Sequence, residues 1–244
     1  MSIEIQYISD LHDKYPVIEN KCKYLALLGD IGNPFSLSYY NFLLRVSKQF
    51  EKVFIVSGNH EYYCNTLEDC DNYIENICNS IPNCIYMNNK SVIVDGFLIV
   101  GTTLWSAIDD NTVSYMNDFR YIRESKDKLL SVETYRKLHV NAVEFIKNEI
   151  EKKLPIIILS HHAPHLLMNG KYINSNNCSG FTTNLTFLNN KYNNILCWLS
   201  GHTHQCLTII QDGVICSANC MGYTNEGVAE FDINKSIIVS KKTN

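Results

Sequence analysis

The sequence predicts an α/β chain, one domain over residues 1–244, built as two β-sheets packed together and flanked by helices. Three observations predict it. The first third alternates short apolar runs with amphipathic stretches, in the order expected for strand–helix units. The last third is mostly strand with tight turns. No Pro-, Gly- or Ser-rich linker divides the chain, and no segment repeats.

The elements follow in order. Residues 3–8 alternate apolar and polar and predict a strand, and the apolar run Tyr24 to Leu28 predicts a second. Residues 37–50 place Leu37, Tyr40, Leu43, Leu44 and Phe50 near helical spacing. Val53 to Val56 predicts a third strand, closed by Ser57-Gly58. Residues 66–79 predict an amphipathic helix with Thr66 as N-cap and Glu68 and Asp69 in its first turn. Three short strands follow, at 84–87, 91–95 and 97–102, with turns at Asn88-Asn89 and Asp95-Gly96. A polar stretch covers 106–130. Residues 131–153 predict the longest helix, opened by a Ser131 cap and stopped before Pro155. Pro155 to Ser160 reads as a buried strand, and 165–190 as irregular and Asn-rich. Strands are expected at 195–200, 206–211, 214–217 and 228–239, with turns at Asp212-Gly213 and Asn234-Lys235.

Composition narrows the function. A net charge of -4 with 21 Lys+Arg argues against nucleic acid and anionic membranes as partners. No apolar run approaches the roughly 18 residues of a membrane span. The stretch Met1 to Ile5 lacks the features of a signal peptide, so a cytoplasmic protein is expected. The 10 cysteines form no C-x-x-C pair, which excludes a zinc ribbon or a thioredoxin-like site and predicts reduced, packed thiols.

Five short segments carry metal-ligand side chains, and each directly follows an apolar strand: Asp10-Leu11-His12, Gly29-Asp30, Gly58-Asn59-His60-Glu61, Ser160-His161-His162 and Gly201-His202-Thr203-His204. Loops at strand C-terminal ends are where open α/β sheets place their ligands. Spacing of two on extended chain turns both side chains to one face, so Asp10 and His12 can meet at one ion, and His202 and His204 can each reach a nearby site. Of 8 histidines, six fall in these segments, too many for ordinary strand-end structural roles.

The series D-x-H, G-D, G-N-H-E, H-H-x-P and G-H-T-H, in this order, resembles the calcineurin-like metallophosphoesterase superfamily over residues 5 to 204. A narrower likeness, to a group of small metallophosphatases, rests on Gly101 to Trp105, Asn117-Asp118-Phe119-Arg120, Ser160 to Pro164 and Gly222-Tyr223. The resemblance implies a four-layer αββα sandwich of two mixed β-sheets flanked by helices. It also implies two divalent metal ions, Mn2+ first among Fe, Zn and Mg, since a mixed O/N donor set without thiolate suits all four. Asp10, His12, Asp30 and His204 would hold the first ion. Asp30, Asn59, His161 and His202 would hold the second, with Asp30 bridging. A metal-bridging hydroxide would attack phosphorus in line, and His60 would protonate the leaving oxygen. His162 would support the site or face substrate.

In related protein phosphatases G-D is followed by a second Asp that orients the catalytic His, then by an Arg. Here the stretch is Gly29-Asp30-Ile31-Gly32-Asn33-Pro34, so Asn33, Glu61 or another group must orient His60. The missing Arg argues against a phosphoprotein phosphatase or a diadenosine polyphosphate hydrolase. Arg120 and Arg123 are the candidate phosphate clamps, and Trp105 and Tyr62 candidate walls. The expected activity is hydrolysis of a small phosphate mono- or diester. A metal-dependent nuclease is the alternative enzyme, disfavoured by charge, and a non-catalytic scaffold keeping the fold is the alternative outside enzymes.

Overall fold

The computed structural model of the chain describes residues 1–185, 193–228 and 230–241. Its strands and helices run β1 (Ser2–Ile8), β2 (Tyr24–Leu28), α1 (Leu37–Ser47), β3 (Lys52–Val56), α2 (Leu67–Ser80), β4 (Cys84–Tyr86), β5 (Lys90–Val94) and β6 (Phe97–Thr102). They continue with α3 (Asp110–Val113), α4 (Asp118–Tyr121), β7 (Arg123–Ser125), β8 (Lys128–Leu129), α5 (Val132–Ile150) and β9 (Ile156–Ser160). The last are β10 (Ile195–Ser200), β11 (Cys206–Gln211), β12 (Val214–Asn219) and β13 (Ser236–Ser240).

One sheet has the order β13-β1-β2-β3-β4 and is parallel except for β13. The other has the order β11-β12-β10-β9-β6-β5, with four parallel strands in the middle and an antiparallel strand at each edge. β2, β9 and β10 are buried along their whole length, which explains their unbroken apolar runs: both faces are covered. Ile5, Tyr7, Phe54, Ile99, Ile157 and Leu199 pack between the sheets. Leu25, Leu27 and Ile55 meet Phe42 and Leu43 of α1 and Ile74 of α2 on the outer face of the first sheet. Ile156 and Ile158 meet Ala142, Val143 and Ile146 of α5 on the outer face of the second. The result is the four-layer αββα sandwich of two mixed sheets.

Local chemistry sets the ends of these elements. Ser36, Thr66 and Ser131 each accept a backbone N–H three residues on and so cap α1, α2 and α5. Asp95-Gly96 and Asp212-Gly213 both carry positive φ at each residue, and each joins an antiparallel pair through a two-residue loop. That is the turn geometry Asp-Gly favours.

Three expectations are corrected. α1 stops at Ser47 rather than residue 50, because Gln49 and Phe50 both turn their N–H groups back to Val46 O. The polar stretch 106–130, for which the sequence predicts no element, holds α3, α4 and the β7–β8 hairpin. Within 228–239 only the end is strand, as β13 pairs with β1 from Ser236 onward. Upstream, Asp232 is held by Asn219 rather than by a ladder, and residue 229 lies outside the described residues. So do 186–190 of the irregular stretch, whose described part contains short 3-10 turns at Leu166–Tyr172 and Cys178–Gly180. No helix among the described residues is long and apolar enough to cross a membrane.

Candidate metal centre

The parallel strands β1, β2, β3, β9 and β10 all deliver their C-terminal ends to one edge of the sandwich, where the two sheets touch. His161 Nδ1 lies 2.8 Å from Leu28 O, and His202 N donates to Asp10 Oδ2 at 3.0 Å. The chain turns sharply as it leaves the strands. Asp10, His12, Asp30, His202 and His204 all have φ between 47° and 66°. Residues other than glycine rarely adopt that conformation, at a cost on the order of 1 kcal/mol each, and such strain gathers at functional sites. Glycines admit the close approach. A Cβ at Gly58 would run into Asp30 Oδ1 and come within 2.7 Å of His161 Cε1.

Glu61 ties two of these loops together. Its buried carboxylate accepts N–H groups from Asp30 (2.9 Å), Ile31 (2.7 Å) and Gly58 (2.8 Å). Burial, and then the nearby Asp30 charge, push its pKa up to about 7. It orients backbone, not the His60 ring. Asn33 is also turned away, its Oδ1 accepting from Phe35 N. The His60 ring is instead stacked on Tyr63 at 4.2 Å between centroids. Its backbone N–H donates to Asp30 Oδ1 at 2.9 Å, and its Nε2 lies 3.2 Å from Tyr223 Oη.

The donor atoms show what the site can hold. His161 Nδ1 faces the Leu28 carbonyl and His204 Nδ1 faces Glu226 Oε2 at 2.6 Å; both partners only accept, so both Nδ1 atoms carry the proton. Each Nε2 is then the atom aimed inward, a lone pair whenever the ring is neutral. His204 Nε2 lies 3.1 Å from His12 Nε2 and 3.4 Å from Asp10 Oδ1. His161 Nε2 lies 3.1 Å from His202 Nδ1, 3.2 Å from Asn59 Oδ1 and 3.5 Å from Asp30 Oδ1. Asn59 presents its oxygen because Nδ2 donates to Asp118 Oδ1 at 2.7 Å. Acceptors that close repel unless positive charge sits among them. Burial opposes charging His161 and His204, but Asp30 and Asp10 outweigh it and hold both imidazoles up at about 9. Burial likewise opposes charging Asp10, yet His204 keeps its carboxyl down at about 2. The donor set of carboxylate, imidazole and amide oxygen fits divalent cations.

The groups sort into Asp10/His12/His204 and Asp30/His161/His202, each with ligand atoms within 4.8 Å of one another; a third set, His12/Asp30/His60, shares His12 with the first and Asp30 with the second. A cavity of about 370 Å³ opens over them, lined by Asp30, Asn59, His60, His202 and His204 on its floor.

The structure thus brings Asp10, His12, Asp30, Asn59, His60, His161, His202 and His204 to one place. Arg120 and Arg123 are not brought there. Arg120 donates to Ser114 O and Asn117 Oδ1, and Arg123 to Lys126 O. His162 is buried behind the floor, its ring 4.1 Å from that of His202 and its Nδ1 3.2 Å from Thr103 O, so it props a neighbour rather than facing the cavity. Trp105 and Tyr62 belong to a buried cluster with Tyr135 and Ile122. Sequence reasoning missed three groups. Glu226 orients His204, Asp118 orients Asn59, and Tyr223 stacks on His12 at 4.2 Å while reaching His60. Asp118 and Tyr223 lie in segments singled out by the narrower likeness; nothing in the sequence marks Glu226.

Comparison with known proteins is consistent with this geometry. The sequence pattern of the calcineurin-like phosphoesterases matches residues 4–206. Protein L509 of Acanthamoeba polyphaga mimivirus, itself uncharacterized, is 34% identical over 91% of this chain and 92% of its own length. Among solved structures, the phosphopantetheinyl hydrolase of Mycobacterium tuberculosis superposes with a TM-score of 0.71 at 20% identity, covering 96% of this chain and 94% of that one. A candidate 5′-nucleotidase from Staphylococcus aureus superposes with a TM-score of 0.53 at 12% identity, covering 99% of this chain and 51% of that one.

Proposed function

Because the chain belongs to the calcineurin-like phosphoesterase family, we propose that it hydrolyses phosphate mono- or diesters, with two divalent cations held on either side of Asp30 and His60 as general acid. Metal-dependent hydrolysis of phosphoesters is the family's chemistry. The observation that carries the finer reading is the pair of inward-facing acceptor sets, Asp10/His12/His204 and Asp30/His161/His202, linked by a third set in which His12 meets Asp30.

Asp10, His12 and His204 would hold one cation and Asn59, His161 and His202 the other, with Asp30 common to both. When bound, such cations would lower the pKa of a water at the site and neutralise charge on the phosphoryl oxygens. The residues do the rest. Asp10, Asp30 and His161 are fully buried, so the floor is fixed and closed to bulk water from behind. Glu226 and the Leu28 carbonyl hold His204 and His161 in the tautomer that keeps Nε2 free. His60 lines the cavity, is clamped at its backbone by Asp30 and at its ring by Tyr63, and presents Nε2 beside Tyr223 Oη. From there it donates its proton to the leaving oxygen. Manganese is the first metal to test; the donor chemistry suits Fe, Zn and Mg as well.

The experiment is a panel of p-nitrophenyl mono- and diesters, cyclic nucleotides and single-stranded DNA, run with Mn2+ and with chelator. Small esters should be cleaved only with metal, and the panel separates monoesterase from diesterase. His60→Ala should retain its metal and lose about a hundred- to ten-thousand-fold in kcat on esters with poor leaving groups. An unchanged kcat on those esters would remove His60 from the role of acid.

A further inference from the structure

The roof of the cavity is unlike its floor. Above the metal-ligand side chains it is lined by neutral polar and aromatic groups, among them Asn117, Asn169, Asn177, Tyr115, Tyr172 and Phe181. Two carboxylates also line the cavity, Asp118 beside Asn59 and Glu226 beside His204. Asp118 Oδ2 is buried and has no hydrogen-bond partner, an acceptor left over on a side chain whose Oδ1 already serves Asn59 and Tyr63. Among the described residues no Lys or Arg lines the cavity.

Basic residues of the surrounding segments point elsewhere. Lys14 Nζ donates to Gly222 O at 2.8 Å. Lys171 lies over the Tyr172 ring and lines a separate groove. Arg120 and Arg123 are held by backbone carbonyls. Enzymes that accept a second phosphate on their substrate ordinarily meet it with guanidinium or ammonium groups. Among the described residues the only positive charge offered to a substrate is on the floor, and a further phosphate on the substrate would find no cation while lying in a cavity that Asp118 and Glu226 also line.

We propose that this cavity selects phosphoesters in which a single phosphate is joined to an uncharged group rich in hydroxyl, amide or aromatic functions, and that it rejects substrates bearing a second phosphate. The inference rests on the phosphoesterase reading above and names the substrate class of the same site. Asn and Tyr side chains supply donors and acceptors to neutral polar groups, and the aromatic rings supply contact area. The carboxylates act against extra negative charge, so specificity comes from repulsion as well as from fit.

The test uses the full chain loaded with Mn2+ and has a binding arm and a kinetic arm. In the first, calorimetry compares hydroxypropyl phosphonate with trimethylene bisphosphonate, two uncleavable ligands that differ in having a hydroxyl or a second phosphonate at the far end. The hydroxyl compound should bind at least about tenfold more tightly. Equal binding, or preference for the bisphosphonate, overturns the proposal. In the second, the corresponding phosphate monoester and bisphosphate are compared by kcat/KM, with the same expected ratio. Tyr115→Lys, which puts a cation at the exposed mouth of the cavity, should lower both ratios by at least about threefold; ratios unmoved by that substitution also count against the proposal. Absence of metal-dependent turnover on any phosphoester is a different result. It would overturn the phosphoesterase reading, while the binding arm would still decide the charge preference.

Discussion

At the scale of single residues, the site depends on groups that never touch a metal. Glu226 accepts from His204 Nδ1 and from the N–H of Tyr223 with the same oxygen, so it fixes a ligand's tautomer and the loop carrying Tyr223 together. Partners of this kind are typically worth about ten- to a hundredfold in metal affinity. Glu226→Ala should therefore weaken metal binding by about that factor in a chelator competition, and Glu226→Gln, which keeps an acceptor, should recover most of it. An Ala variant with undiminished affinity would show that His204 needs no such support. Asp118 plays the corresponding part for Asn59, turning the amide so that its oxygen faces inward.

At the scale of elements, the sandwich rests on well-capped helices and Asp-Gly turns. α5 covers the outer face of the second sheet, and its first turn is held by the Ser131 side chain, which accepts from Thr134 N and is itself bonded to Glu124. Ser131→Ala should lower unfolding stability by about 1 kcal/mol, read as a shift of the denaturant midpoint at constant m. A neutral substitution would mean that α5 is held by its packing against Ile156 and Ile158 alone. These elements were legible in the sequence because each signal is local: a capping hydroxyl, an apolar run bounded by Gly, a D-G pair. The ligand segments were legible for the same reason, since each sits directly after its strand. What the sequence concealed is non-local. Glu226 reaches the site only because His204 presents Nδ1 to it across 22 residues. Arg120 was attractive, with Arg123, as one of few Arg residues and in a family-like segment, but Ser114 O and Asn117 Oδ1 lie within its reach and hold it at the surface. Residues 228–239 read as strand on either side of a turn at Asn234-Lys235 because apolar and polar residues alternate there; β1 pairs only with the part after that turn.

At the scale of the whole molecule, two sheets carry the two halves of one centre. β1 to β3 bring Asp10, His12, Asp30 and Asn59, and β9 and β10 bring His161, His202 and His204, so packing of the sheets is itself what assembles the acceptor sets. The cysteines take no part. All ten are free, most are buried, and burial pushes thiols such as Cys70, Cys84 and Cys216 up to about 12. Cys64 alone is exposed. A thiol reagent should modify Cys64 first in the native protein and all ten after denaturation without reductant. Fewer than ten reactive groups would reveal a disulfide that this packing does not contain.

The central claim is a two-cation centre bridged by Asp30, and counting ions tests it most directly. Mass spectrometric measurement of metal per chain, after loading with Mn2+ and removal of the excess, should give two ions for the native protein and less than one for Asp30→Asn, whose folding is checked by circular dichroism. One ion in the native protein, or two retained in a folded Asp30→Asn, would contradict it.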